Sequence, residues 1–202
     1  MKNLPILNCD FFREAKACYD PATVLGEDWN GTALDILDHP QIPSEDKIWA
    51  VCAKGALPES VQWLMAVAFV RETPLHDGRN VVDLSTDERS LKALEVIELH
   101  ALGRATDGEL DAARGAAKDA AMDAAGDVAA AATATWAAAG AGAGAAAGDA
   151  AWDAAGSAAA AGDAPGDAAG AATWDAARDA QAEIARRVIL LGHAKRTTLP
   201  RK

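Results

Sequence analysis

The chain has 202 residues, half of them apolar but only 5% aromatic, and a formal net charge of −11. A core this poor in rings has to be built largely from small side chains. A chain this acidic is also ill suited to gripping nucleic-acid phosphates or an anionic membrane, both of which require cationic groups.

The opening segment, MKNLPILNCDFF, carries Pro5 and Asp10 and lacks the long apolar core of a secretory leader. The strongest apolar run, WLMAVAFV at 63–70, is far short of the roughly 20 residues that span a bilayer. A cytoplasmic protein is expected, in the host-cell cytoplasm if the chain is phage-encoded. Cys9, Cys18 and Cys52 form no CxxC pair, which predicts reduced, buried thiols and no disulfide framework.

Residues 1–106 read as a cluster of short helices. Residues 10–18 form a candidate helix closed before Asp20-Pro21, and Asn30-Gly31 is a turn pair ahead of a helix over 32–37. Pro43-Ser44 opens a helix at Glu45 that Gly55 can close, and Pro58 starts the next. In that next helix Val61, Leu64, Met65, Ala68 and Phe69 share a face, while Trp63, Val67 and Val70 make the other side apolar. It should therefore be central and buried on more than one side, ending at Pro74 before the Asp77-Gly78 turn. A capping box is expected at Ser85/Glu88, opening a helix over 86–102 with Leu91, Leu94, Ile97 and Ala101 on one face and Gly103 as its stop. The same signal recurs at Thr106/Glu109.

At about residue 106 the composition changes. Of the 77 residues from 107 to 183, 38 are alanine, and this stretch carries 13 acids against 3 bases. Residues 184–202 carry 6 bases and no acid. The chain thus divides into an N-terminal helical region (1–106), an alanine-rich acidic helical array (107–191) and a basic tail (192–202). Within AARGAAKDAAMDAAGD (112–127) an alanine pair recurs every four residues. Such a step advances a helix by about 400°, so the stripe should wind around the axis and meet neighbours on several sides. AAG recurs at 124, 146 and 168, and Trp152-Asp153 reappears as Trp174-Asp175, also 22 residues on. We read this as an internal helical repeat. Glycine and aspartate would suit disorder. Alanine, however, is the best helix former, and regular pairs have no place in a filler. Helices are expected over 107–139 (with a break near Gly126), 145–161 and 166–191, with turns at 140–148 and 162–167.

No HExxH, metal-spaced cysteine set or P-loop occurs, and the glycines of GAGAG (140–144) lack a preceding strand and a phosphate-binding lysine. His39, His76, His100 and His193 are scattered over different elements, with a capping or surface role expected for His100. No catalytic residue, cofactor or metal is therefore expected. No DxDxDG loop supports calcium. The informative residues are aspartates spaced four apart, a spacing that weakens an isolated helix by roughly 0.2–0.5 kcal/mol per pair. Asp119, Asp123, Asp127, Asp149, Asp153, Asp163, Asp167, Asp175 and Asp179 are the candidate partner-binding residues. Their plain role is solubility for an alanine surface. Their sharper one is an acidic face that imitates phosphate spacing and enters a basic groove meant for nucleic acid.

The segments TWDAARDAQAEIARRVILL (173–191) and DERSLKALEVIELHALGRATDGELDAAR (87–114) resemble a loose group of alanine-rich helical repeat proteins of phage and bacterial genomes. Some of that group are labelled immunity proteins, and the group supplies no catalytic residues. The resemblance covers about the second half of the chain, which has more glycine and aspartate and fewer arginines than the usual pattern. Together these readings predict an all-α protein in which an N-terminal cluster of short helices packs on an alanine-rich antiparallel array. The expected function is non-enzymatic binding of a protein partner by a phage or mobile-element inhibitor. Its target would be a host defence complex whose nucleic-acid-binding site is blocked, with no direct contact to nucleic acid or membrane. The alternatives are an immunity protein that neutralises a toxin and a structural or oligomerising module. The oligomeric state is left open, a dimer included.

Overall fold

A computed structural model describes residues 4–124, 127–140, 143–160 and 167–198, and within these the side chains of 127–130, 159–160, 167–172 and 193–198 are left aside. The expected break at Gly126, residues 162–166 of the expected turn and residues 199–202 of the expected basic tail lie outside that description. The fold is all-α, with ten helices among the described residues and one two-stranded sheet.

The N-terminal region begins with β1 (Leu7–Asn8), paired antiparallel with β2 (Asn30–Gly31) in the register Leu7 to Gly31 and Asn8 to Asn30. Asn30-Gly31 is thus a strand and not the expected turn. The Trp29 indole folds directly over Gly31, where any β-carbon would collide with it. Helix α1 (Cys9–Glu14) is capped by the Asn8 side chain, which accepts the Phe11 N–H at 2.9 Å. It stops four residues short of the expected end, before Lys16 takes a left-handed φ of 64°. Short helices α2 (Ala22–Leu25) and α3 (Ala33–Leu37) follow, the latter with the Asp35 carboxylate accepting the Thr32 N–H at 2.6 Å. Helix α4 (Ser44–Cys52) opens after Pro43 as expected.

Helix α5 (Glu59–Glu72) is the axis of the molecule. Val61, Gln62, Trp63 and every residue from Met65 to Val70 are buried, and α6, α8, α9 and α10 all pack on it. The expected burial on several sides is what the structure has. After Pro74 and a 3-10 turn at Val81–Leu84 comes α6 (Glu88–Ala101), whose N-cap is Asp87 and not Ser85. Ser85 closes the preceding 3-10 turn, its N–H donating to Val82 O, and its hydroxyl is buried without a partner. Two residues later the Asp87 carboxylate accepts the Arg89 N–H at 2.8 Å and starts the helix. The buried face of α6 is Ser90, Ala93, Leu94 and Ile97, while Leu91 is 40% exposed.

Helix α7 (Asp107–Asp123) has the expected Thr106/Glu109 capping box, the Glu109 carboxylate accepting the Thr106 N–H at 2.7 Å. It buries Leu110, Ala113, Ala117 and Ala120 but leaves Ala112 exposed and Ala116 and Ala121 half-buried. Within these pairs Ala113, Ala117 and Ala120 are buried and their neighbours are exposed or half-buried, while α7 as a whole packs on α6 and α8. The tightly packed helices are α8 (Asp127–Ala138) and α9 (Ala143–Ala160). Along α9, Ala143, 146, 147, 150, 151, 154, 155 and 158 form one continuous buried stripe. Side chains this small let helix axes come closer than the usual ~8–10 Å. A close approach is at Gly144, where a β-carbon would stand 2.8 Å from the Cys52 carbonyl oxygen of α4. The expected GAGAG turn thus already includes the first residues of α9.

Helix α10 (Asp167–Thr198) runs seven residues past its expected end. It packs on α3, α4, α5 and α9, and one hydrophobic core joins Leu7 and Phe12 to Ile184 and Ile189, continuous across the composition change at 106. Ion pairs from Arg186 to Asp38 (2.8 Å) and from Arg187 to Glu72 tie the basic end of α10 to the N-terminal region. Arg114 of α7 donates from Nε to Ala139 O and from Nη2 to Gly140 O, both at 2.6 Å. It thereby satisfies carbonyls that the C-terminus of α8 would leave open.

Candidate functional site

The 22-residue repeat has a spatial consequence. Trp152 of α9 and Trp174 of α10 meet edge to face, with ring centroids 4.8 Å apart. Gly156 leaves ordinary contact distance for the Trp174 ring. The guanidinium of Arg178 sits over both indoles, its Cζ 5.2 Å from the Trp152 ring and 4.8 Å from the Trp174 ring. Each indole presents the negative face of its quadrupole to a cation, an attraction that strengthens once water is excluded. Arg178 is only 4% exposed. Its Nη1 donates to Gln181 Oε1 at 3.2 Å, and its Nε is buried without a partner. Gln181, fully buried, donates onward from Nε2 to Ala151 O (2.8 Å) and to Thr73 Oγ1 (3.1 Å), locking α10 to α9 and to the end of α5.

Beside this group a cleft of about 450 Å³ opens between α4, α9 and α10, walled by Glu45, Trp49, Cys52, Asp149, Trp152 and Arg178. Burial pushes the Arg178 pKa down, opposed chiefly by the negative field of Glu45. Burial pushes the Cys52 thiol up to about 12, so it stays protonated and inert at neutral pH. A smaller, mainly apolar cavity of about 140 Å³, also bordered by Trp49, is lined by Phe12, Cys18, Val24, Leu25 and Ile36. Cys18 is exposed and free, while Cys9 and Cys52 are free and buried, which corrects the expectation of three buried thiols.

The candidate aspartates are distributed over several helices. Asp119 and Asp123 lie exposed on α7, and Asp123 is engaged by Arg89 at 2.9 Å. Asp149 and Asp153 lie on α9, the first exposed and the second half-buried. Desolvation, and then the Asp149 charge one turn away, raise the Asp153 pKa. Asp175 and Asp179 are exposed on α10, where Asp179 accepts the Ser44 hydroxyl at 2.5 Å. Because α7 packs on α6 and α8 while α9 and α10 pack on each other, Asp149, Asp153, Asp175 and Asp179 share adjoining helices and Asp119 and Asp123 stand apart. Asp163 lies outside the described residues, as do the side chains of Asp127 and Asp167.

His100 stands edge-on to Trp63 at 5.8 Å, with Nδ1 3.9 Å from Asp107. No group of three His, Cys, Asp or Glu side chains among the described residues is placed to hold a metal, and none of the described helices is long and apolar enough to cross a membrane. Sequence reasoning missed Arg178, Glu45 and Trp49. A signal was present for the first, since Arg178 follows Trp174 by one helical turn in an array with very few bases. The chain matches no protein-family model, no curated protein and no solved structure.

Proposed function

We propose that the chain is a non-enzymatic binding protein that presents acidic helical faces to a basic surface of a protein partner. The observation that carries this reading is that Asp119, Asp149 and Asp175 are exposed on three helices, none in an ion pair among the described residues. Exposed carboxylates without cationic partners steer association with a cationic surface and add little to the fold. In its specific form the proposal is an inhibitor, phage- or mobile-element-encoded and acting in the host cytoplasm, that occupies the nucleic-acid groove of a host defence complex.

The test is affinity capture from host lysate with the tagged full chain, at low and high salt and with duplex DNA as competitor. The expected result is a nucleic-acid-binding complex released by salt and by DNA, and lost with the triple variant Asp119→Asn, Asp149→Asn, Asp175→Asn. Capture indifferent to salt, DNA and the triple variant refutes the reading. A second reading, an oligomerising module, is favoured by exposed large apolar side chains: Met122 at 74%, Leu191 at 55% and Trp152 at 54%. It predicts self-association that the same variant leaves intact.

A further inference from the structure

We propose that the cleft between α4, α9 and α10 binds a free aromatic α-amino acid, an inference that does not rest on the docking reading above although both use Asp149. The first observation is Arg178, a multi-donor cation held almost fully out of water with one hydrogen bond, a partnerless Nε and no ion pair among the described residues. The group matched to such a fork is a carboxylate. The second is that two carboxylates already line the same cleft, those of Glu45 and Asp149, both exposed and neither hydrogen-bonded nor ion-paired among the described residues. They repel a simple organic acid and attract an ammonium group. The third is the wall itself, where the indoles of Trp49 and Trp152 are 38% and 54% exposed and offer flat apolar faces.

A cleft of about 450 Å³ falls within the ordinary size of small-molecule sites. A ligand that answers all three features carries a carboxylate and an ammonium on one small body with a ring attached. Bound so, it directs its carboxylate to Arg178, its ammonium to Glu45 and Asp149, and its ring to Trp49 and Trp152. An amine alone leaves Arg178 unanswered, and an internal peptide segment has neither charge at its backbone.

The test is isothermal titration calorimetry of the full chain with phenylalanine, tyrosine and tryptophan, and with the one-charge analogues phenylacetate and phenethylamine. The expected result is saturable one-site binding of at least one of the three amino acids, with each analogue at least tenfold weaker. Glu45→Gln, an exposed change verified by an unchanged thermal melt, should weaken the amino acid severalfold and strengthen phenylacetate, narrowing the gap between them. Arg178→Gln, used where circular dichroism shows it folded, should abolish the preference for a carboxylate. Absence of saturable binding by all three amino acids to the folded wild-type chain overturns the proposal. So does equal affinity of the wild type and Glu45→Gln for the amino acid.

Discussion

Replacing Gly144 by alanine tests how closely α9 approaches α4. In an ordinary helix interior the change stabilises by about 0.5–1 kcal/mol, because the unfolded chain loses freedom. Gly115 in α7 is such a site, exposed and with nothing near the position a β-carbon would take. At Gly144 the added carbon would lie 2.8 Å from the Cys52 carbonyl oxygen and 3.3 Å from Gln62 Nε2. That carbonyl is main chain at the end of α4, where the Gln62 amide already donates to Ala53 O at 3.0 Å, so neither neighbour yields readily. Overpacking of this kind costs about 1–3 kcal/mol. Gly144→Ala should therefore fall below Gly115→Ala by about 1–3 kcal/mol. Gly148→Ala, where the nearest atom is Cys52 Cβ at an ordinary 3.7 Å, should behave like Gly115→Ala. Urea unfolding followed by helix ellipticity at matched m-values gives the three numbers, and melting temperatures should separate by about 2–4 °C per kcal/mol. If Gly144→Ala stabilises as much as Gly115→Ala, the close approach of the two helices is wrong.

Gln181→Met should destabilise by about 1–3 kcal/mol in chemical denaturation, since it leaves Arg178 Nη1 buried without a partner and removes the cross-helix bonds to Ala151 O and Thr73 Oγ1; a neutral result would mean water reaches Nη1. Asp153 has a raised pKa in the folded chain, so its ionisation opposes folding above the ordinary aspartate range. Asp153→Asn should accordingly stabilise at pH 7, with the gain disappearing as pH falls below the unfolded aspartate pKa. Equal effects at both pH values would contradict this. The Glu109 pKa is lowered by the hydrogen bonds of its capping box, so that contribution is present above the ordinary glutamate range and lost as pH falls through the depressed value. Removing the box with Thr106→Ala should cost about 0.5–2 kcal/mol at neutral pH. With a thiol reagent under native conditions Cys18 should react quickly, whereas Cys9 and Cys52 should wait for unfolding; three equally fast thiols would contradict their burial.

Much of the helical skeleton was legible because the punctuation is local. Pro58 and Pro74 bracket α5, and Thr106 with Glu109 announces α7, each through backbone groups within a turn of the signal. Where two local signals competed, sequence reasoning chose wrongly. Ser85 and Asp87 both suit an N-cap, and the 3-10 turn before them decides in favour of Asp87. The strand role of Asn30-Gly31 was hidden because it depends on Leu7 and Asn8, more than twenty residues away. The cleft was hidden for the same reason, since Glu45, Asp149 and Arg178 come from three helices and no spacing in the chain connects them. The tryptophan repeat was visible as a repeat, but the seat that the two touching rings make for Arg178 was not.

The buried alanine stripe of α9 restricts what mutation can do to this chain. Ala146, Ala150, Ala154 and Ala158 are fully enclosed, and a valine, threonine or glutamate at any of them must force two helices apart. Glycine fits without displacement, and it occurs elsewhere in the same helix. The outward positions carry no such limit. A scan of every single substitution through α9 should therefore show intolerance recurring with the helical period, inside a stretch that looks uniformly simple when read as letters. Its monotony follows from steric exclusion on one side of a helix, and its freedom to vary lies on the other.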